Sequence, residues 1–148
     1  MLFRSNTWGA GGWGGDTGAG EVIQGQYGSY GNRSGSWKFS SAMQSALRGS
    51  TIEKFEVYLY ASHWYYGSGG TASIRPTTGG YKSFTGSAFT SGNWPRKAGR
   101  WVTVPKSWYR YIANGTYGGI GVQTGSSSLT YYGRFTGTAT KFRATYRK

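Results

Sequence analysis

An all-β, antiparallel sandwich of the jelly-roll kind, carrying two short helices, is the fold this sequence predicts, and three observations predict it. Short segments of period-two alternation recur along the chain with turn residues between them. Aromatic residues make up 18% of the chain against 36% hydrophobic in all, so Trp and Tyr do much of the burying. Glycine supplies 27 of 148 residues without a collagen period and with only 3 prolines, which assigns the glycines to turns and close approaches.

Residues 1–20 read as an irregular Gly/Trp-rich arm carrying Trp8 and Trp13, and residues 21–148 as one sandwich domain. Strands are expected over Glu21 to Tyr27 and Gly35 to Phe39. Phe39, Met43, Ala46 and Leu47 then share a helical face, with serines before them as caps and Gly49 after them as a stop. From Thr51 to Ala61 the residues Phe55, Val57, Leu59 and Ala61 alternate with Lys54, Glu56, Tyr58 and Tyr60. An aromatic loop, His63-Trp64-Tyr65-Tyr66, follows, then a strand at Thr71 to Arg75. Between Pro76 and Gly99 only weak strands can be drawn. Arg100 to Val104 is a strand, and Pro105 opens a helix that sets Trp108, Tyr111 and Ile112 on one face and ends at Asn114-Gly115. Gly119 to Thr124, Leu129 to Phe135 and Lys141 to Tyr146 complete the strands.

The charge narrows the partners. The formal net charge is +13, from 17 Lys and Arg against 4 acids. Asp16, Glu21, Glu53 and Glu56 all fall in the first 56 residues, and the rest of the chain has bases and no acid. Such a balance favours an anionic partner: an anionic glycan, nucleic acid or the acidic face of another subunit. The absence of cysteine removes disulfides and thiolate chemistry. No apolar run is long enough for a membrane span or a signal peptide.

Catalysis and metal binding find few residues. Glu53 and Glu56 stand three apart on a strand and point to opposite faces, so they make no hydrolytic pair. Asp16 and Glu21 flank the glycine-rich arm and are expected in solvent. His63 is the only histidine, with too few acids to build a triad or a metal shell around it. No catalytic residue, metal or cofactor is therefore expected. Gly119-Ile120-Gly121 lies inside a strand pattern and opens no helix, so it reads as close strand packing rather than a phosphate loop.

Two clusters carry binding potential. His63, Trp64, Tyr65 and Tyr66 could present ring faces to sugars or to a neighbouring subunit, or be divided between core and sheet edge. Arg96, Lys97, Arg100, Lys106 and Arg110 interleave with Trp94, Trp101, Trp108 and Tyr109 as a candidate anion-binding stretch, Trp101 and Trp108 being assigned to the core.

The order of parts resembles the DNRLRE, or disaggregatase-related, jelly-roll domains, which are similar to carbohydrate-binding modules. The resemblance rests on Gln26-Tyr27-Gly28-Ser29-Tyr30-Gly31, Trp37-Lys38-Phe39, Ala46 to Ile52, Val57 to Tyr60, Trp101 to Val104, Asn114 to Ile120 and Ala144-Thr145-Tyr146. Stretches similar to His63-Trp64-Tyr65-Tyr66 occur in tail proteins of phages infecting actinobacteria. The chain departs from the family's acidic positions after the first helix, and Thr140-Lys141-Phe142-Arg143 stands where an Arg-Pro is usual. The resemblance implies a non-enzymatic phage virion or tail protein, located in the virion or outside the cell, that holds a host-surface glycan. Its expected partners are other virion proteins, further copies of itself and anionic cell-surface polysaccharide, with Trp8 and Trp13 in an assembly arm. Alternatives are a capsid decoration subunit without ligand, the carbohydrate-binding module of a polysaccharide-active enzyme and, less favoured, a nucleic-acid binder.

Overall fold

The computed structural model describes residues 3–16 and 20–148. Its elements in chain order are β1 (Arg4–Gly9), β2 (Gly12–Gly15), β3 (Glu21–Gln26), β4 (Asn32–Arg33), β5 (Gly35–Lys38), α1 (Ser41–Leu47), β6 (Thr51–Trp64) and β7 (Gly70–Thr77). Then follow β8 (Phe89–Trp94), β9 (Ala98–Thr103), α2 (Tyr109–Ala113), β10 (Gly119–Val122), β11 (Gly133–Thr136) and β12 (Lys141–Arg147). Every strand pairing among the described residues is antiparallel, in two sheets, so the chain is an all-β sandwich with two short helices.

The predicted alternation holds in β6, where Phe55, Val57, Leu59 and Ala61 are all fully buried. Sheet one is organised around this strand. Along one edge β6 pairs with β9, Glu56 opposite Thr103 and Ala61 opposite Ala98. Along the other it takes two partners in tandem, β12 against 51–58 and β11 against 61–64. Beyond them lie β1 on β12 and β3 on β11. Sheet two runs β2-β5-β10-β7-β8. The core between the sheets is ring-rich: Phe39, Phe55 and Phe142 meet at centroid distances of 4.9 to 6.1 Å, and Trp64, Trp94 and Phe135 at 5.5 to 6.3 Å. Each such pair adds about 1 kcal/mol to the gain from area burial alone.

Both helices lie where the sequence places them, at one end of the sandwich. Ser40 Oγ accepts from the Met43 amide and starts α1, which buries Met43 and Leu47. Pro105 leads through a 3-10 turn into α2, and Trp108 and Ile112 enter the core.

The first residues correct the sequence reading. They form β1 and β2 rather than an irregular arm: β1 lies on the edge of sheet one and β2 on the edge of sheet two. Trp8 and Trp13 are half-buried against the core. Trp13 reaches across to the 3-10 turn that follows β11, where a Cβ on Gly137 would stand 2.5 Å from its ring. Trp37 Nε1 of sheet two donates to the Gly137 carbonyl at 2.8 Å, so one side of the sandwich is sewn shut. Trp8 and Trp13, expected in a free arm, thus sit on edge strands with their rings packed partly against the core.

Three further differences have local causes. β8 leaves only a weak trace in the sequence, because Phe89-Thr90-Ser91-Gly92-Asn93-Trp94 buries only its last residue fully. The expected strand at Leu129 to Phe135 opens instead as a 3-10 turn over Leu129–Tyr131, capped by Ser128 Oγ accepting from the Thr130 amide. β6 also runs three residues beyond the expected end at Ala61, through a register shift at Ser62.

The outer face of sheet two is covered by the chain itself. The segment between β7 and β8 folds back over a pavement of glycines. Tyr81 and Phe84 occupy the space that side chains at Gly14 and Gly121 would need. Gly121 in addition abuts the Gly35 carbonyl, which is the close strand packing that Gly119-Ile120-Gly121 implies.

Candidate functional site

The β6 bulge decides which aromatic residues are available. A bulge adds one residue to one strand and shifts the alternation beyond it. Arg134 pairs with His63 and Phe135 with Ala61, so Ser62 is the extra residue. Trp64 then takes the inward position that simple alternation would give to His63. It is fully buried, which removes it as a ligand-binding ring. Tyr65 and Tyr66 follow in the turn and stay 39% and 45% exposed.

Around these two rings the fold gathers tyrosines that the sequence separates. Tyr27, from the turn after β3, lies 5.6 Å from Tyr65 and 5.2 Å from Tyr132, and Tyr65 lies 5.0 Å from Tyr66. Tyr132 is buried and Tyr27 is 50% exposed. Buried Gln24 holds the arrangement from below. Its Nε2 donates to the carbonyls of Thr71 at 2.9 Å and Tyr131 at 2.8 Å, and its Oε1 accepts from the Ser73 amide at 2.7 Å. Gly25, at φ 95°, brings the β3 backbone against Tyr131 and Tyr132 more closely than a Cβ would allow. Neither Tyr27 nor Tyr132 was singled out from the sequence as a site residue, since they come from turns remote in the chain.

His63 lies beside this patch on β6. Burial, and then the nearby cations Arg96 and Arg134, hold its pKa below the ordinary value. It favours the neutral imidazole there.

The predicted basic stretch is divided by the fold. Arg96 Nε and Nη2 donate to the carbonyls of Trp64 and Tyr65, both at 2.9 Å, so this cation pins the tyrosine turn. Lys97 is exposed in the turn between β8 and β9, with φ 52°. Arg100 lies over the Trp94 ring at 5.0 Å and donates to the Asn93 carbonyl. Because β9 runs antiparallel to β6, Lys106 and Arg110 are carried to the other end of the sandwich, beside residues 50–52. The five cations therefore form no single anion site. Lys106 and Arg110 instead stand near Arg48 and Lys148, which come from elsewhere in the sequence.

Trp108 is core, as expected, but Trp101 is not. Trp101 lies half-buried 5.3 Å from Tyr58 on the outer face of sheet one, and the Arg143 guanidinium stacks 4.0 Å from its centroid. Arg143 is also hydrogen-bonded to both oxygens of Glu56 at 2.9 and 3.1 Å. That arginine holds Glu56 below the usual carboxylate range. The other acids are likewise engaged: Asp16 with Lys82 and the Ser34 amide, Glu21 with Ser62 Oγ at 2.7 Å and Arg134 at 3.8 Å, Glu53 with Arg147 at 3.2 Å. Asp16 is thus no free solvent carboxylate. Burial alone would raise its pKa, but the hydrogen bonds from Lys82 and Ser34 win and lower it.

Among the described residues, no helix is long and apolar enough to cross a membrane. No protein-family model matches the chain, and no curated protein matches it either.

Proposed function

We propose that the chain is a non-enzymatic binding and structural domain that holds a glycan on its tyrosine end, in the setting of a phage virion or tail that the sequence resemblance suggests. The observation that carries this reading is the convergence of Tyr27, Tyr65 and Tyr66 into one patch, with ring contacts of 5.0 and 5.6 Å and 39 to 50% of each residue in solvent. Exposed tyrosines on a rigid base offer apolar faces to a sugar ring and hydroxyls to its hydrogen bonds, at small entropic cost. The base here is rigid: Gln24 and Arg96 use five hydrogen bonds to fix the segments that carry the rings. Dispersal of the four carboxylates into separate ion pairs supports a domain that binds rather than cleaves.

A glycan array, followed by calorimetry on the best ligand, tests the reading with the wild type and a Tyr65→Ala/Tyr66→Ala variant whose fold is checked by circular dichroism. Saturable binding that survives salt and is lost in the variant supports it. If no neutral or acidic glycan binds in a way that depends on these tyrosines, the patch is a contact between subunits.

A further inference from the structure

The end opposite the tyrosines is built differently. Thr51 and Trp64 bound β6, so the two ends lie about 40 Å apart. At the far end, where the helices cap the sandwich, three recesses adjoin. The first, of about 520 Å³, is walled by Ser50, Lys106, Tyr109 and Arg110 among others. A second, of about 430 Å³, shares Ser50 and Arg110 with it and adds Arg48. The third, of about 450 Å³, shares Arg48 and is bounded by Lys148. Shared residues place the three side by side as one furrow, with cations at intervals along it and no Asp or Glu side chain in its walls.

Among the described residues none of these cations is in an ion pair with Asp or Glu; the ion pairs use Lys54, Lys82, Arg134, Arg143 and Arg147. Arg48 and Lys106 have no side-chain hydrogen bond or ion pair within the described structure. Arg110 gives one donor to Tyr111 Oη at 2.6 Å, and Lys148 caps the Ser45 and Ala46 carbonyls at the end of α1. Ser50 Oγ, in the wall common to the first two recesses, is shielded from solvent with no hydrogen-bond partner. Shielded in this way, the hydroxyl is a cost to stability rather than a contact for a ligand in the recess.

We infer that the furrow binds a polymer with repeating anionic groups, phosphate or carboxylate, on a sugar or polyol backbone. Cations spaced over three adjoining recesses fit a chain of regularly spaced anions better than one small ion, which would fill a single recess. Such a polymer also gains from the counterions it sheds. Single-stranded nucleic acid is disfavoured, because it needs rings free to stack on bases. Tyr109 and Tyr111 line its first recess, but both are half-buried, and the Tyr111 ring is already engaged by the Arg110 guanidinium at 4.7 Å and by Tyr117 at 5.1 Å. This inference is independent of glycan stacking at the tyrosine end.

The test titrates the chain with poly(glycerol phosphate), polygalacturonate, neutral dextran and a single-stranded oligonucleotide, at several salt concentrations. An Arg48→Gln/Arg110→Gln variant is compared with a Lys97→Gln/Lys141→Gln variant of equal net charge altered away from the furrow. The expected result is binding to the phosphate or the uronate polymer but not to dextran, the preferred polymer identifying the anion. The furrow variant weakens that binding about tenfold or more, a loss of about 1.4 kcal/mol, while the remote variant changes it little. Lys106→Gln, an exposed change, replaces the double variant if that one does not fold. Equal losses in the two charge variants would overturn the site and leave only the attraction of a +13 surface. Tighter binding of the oligonucleotide, with the same residue dependence, would overturn the ligand class. Loss of this binding in Tyr65→Ala/Tyr66→Ala, with the furrow variant unaffected, would transfer the anions to the tyrosine end.

Discussion

Trp64 occupies the space that a side chain at Gly133 would fill: a Cβ built on that glycine would stand 2.3 Å from the indole. Gly70, from sheet two, approaches the same ring as closely, so a fully buried tryptophan is accommodated by glycines of both sheets. Gly133→Ala should therefore overpack the core and cost about 1 to 3 kcal/mol. Urea unfolding followed by tryptophan fluorescence measures this. Gly125→Ala, at a position with nothing within 4 Å of a Cβ, should leave the midpoint unchanged.

Trp13 closes the seam between the sheets by lying over Gly137. Trp13→Ala should cost about 2 kcal/mol, roughly half the loss for a fully buried tryptophan. Amide exchange should rise in β2 and along the β5 edge it covers. Unchanged exchange there would mean that backbone pairing alone holds the strand.

Glu56 contributes to stability only while ionised. Its carboxylate, bonded to Arg143, titrates below the ordinary value of 4.5 in the folded chain. Its contribution is therefore present above pH 4.5 and is lost as pH falls through the lowered folded value. Glu56→Gln should destabilise the protein at neutral pH and flatten the acid limb of a plot of unfolding midpoint against pH.

His63 acts in a higher window. Its folded pKa lies below the ordinary 6.5, so the unfolded chain takes up the proton first. Stability from this residue is complete above pH 6.5 and falls as the pH drops from there towards the folded value. In His63→Gln the midpoint should be flatter just below pH 6.5, and NMR titration of the single histidine gives the folded pKa directly.

Much of the sandwich was legible because burial imposed a pattern on the residues. β6, β12 and both helices place apolar side chains at the period of their structure, and so they could be drawn in advance. β1 could not. Its pattern Arg4-Ser5-Asn6-Thr7-Trp8-Gly9 is exposed except at Trp8, and what holds it is backbone pairing and one ring, neither of which leaves alternation in a sequence. The site was legible in part. Tyr65 and Tyr66 were found as neighbours in the chain, but the bulge at Ser62 that sends Trp64 inward has no signature in residue type. Conversely, the run from Arg96 to Arg110 seemed one cluster only because sequence distance hides a strand that separates its ends.

The pairing of β1 with β12 also sets an order of events during synthesis. Position 4 lies opposite 146 and position 9 opposite 141. A nascent chain thus carries β1 without its partner until β12 has cleared the ribosome, and this seam closes late. Contacts so distant in sequence make folding slow. In the interval the unpaired edge is open to other chains, so conditions that stall translation before residue 141 should favour aggregation over refolding.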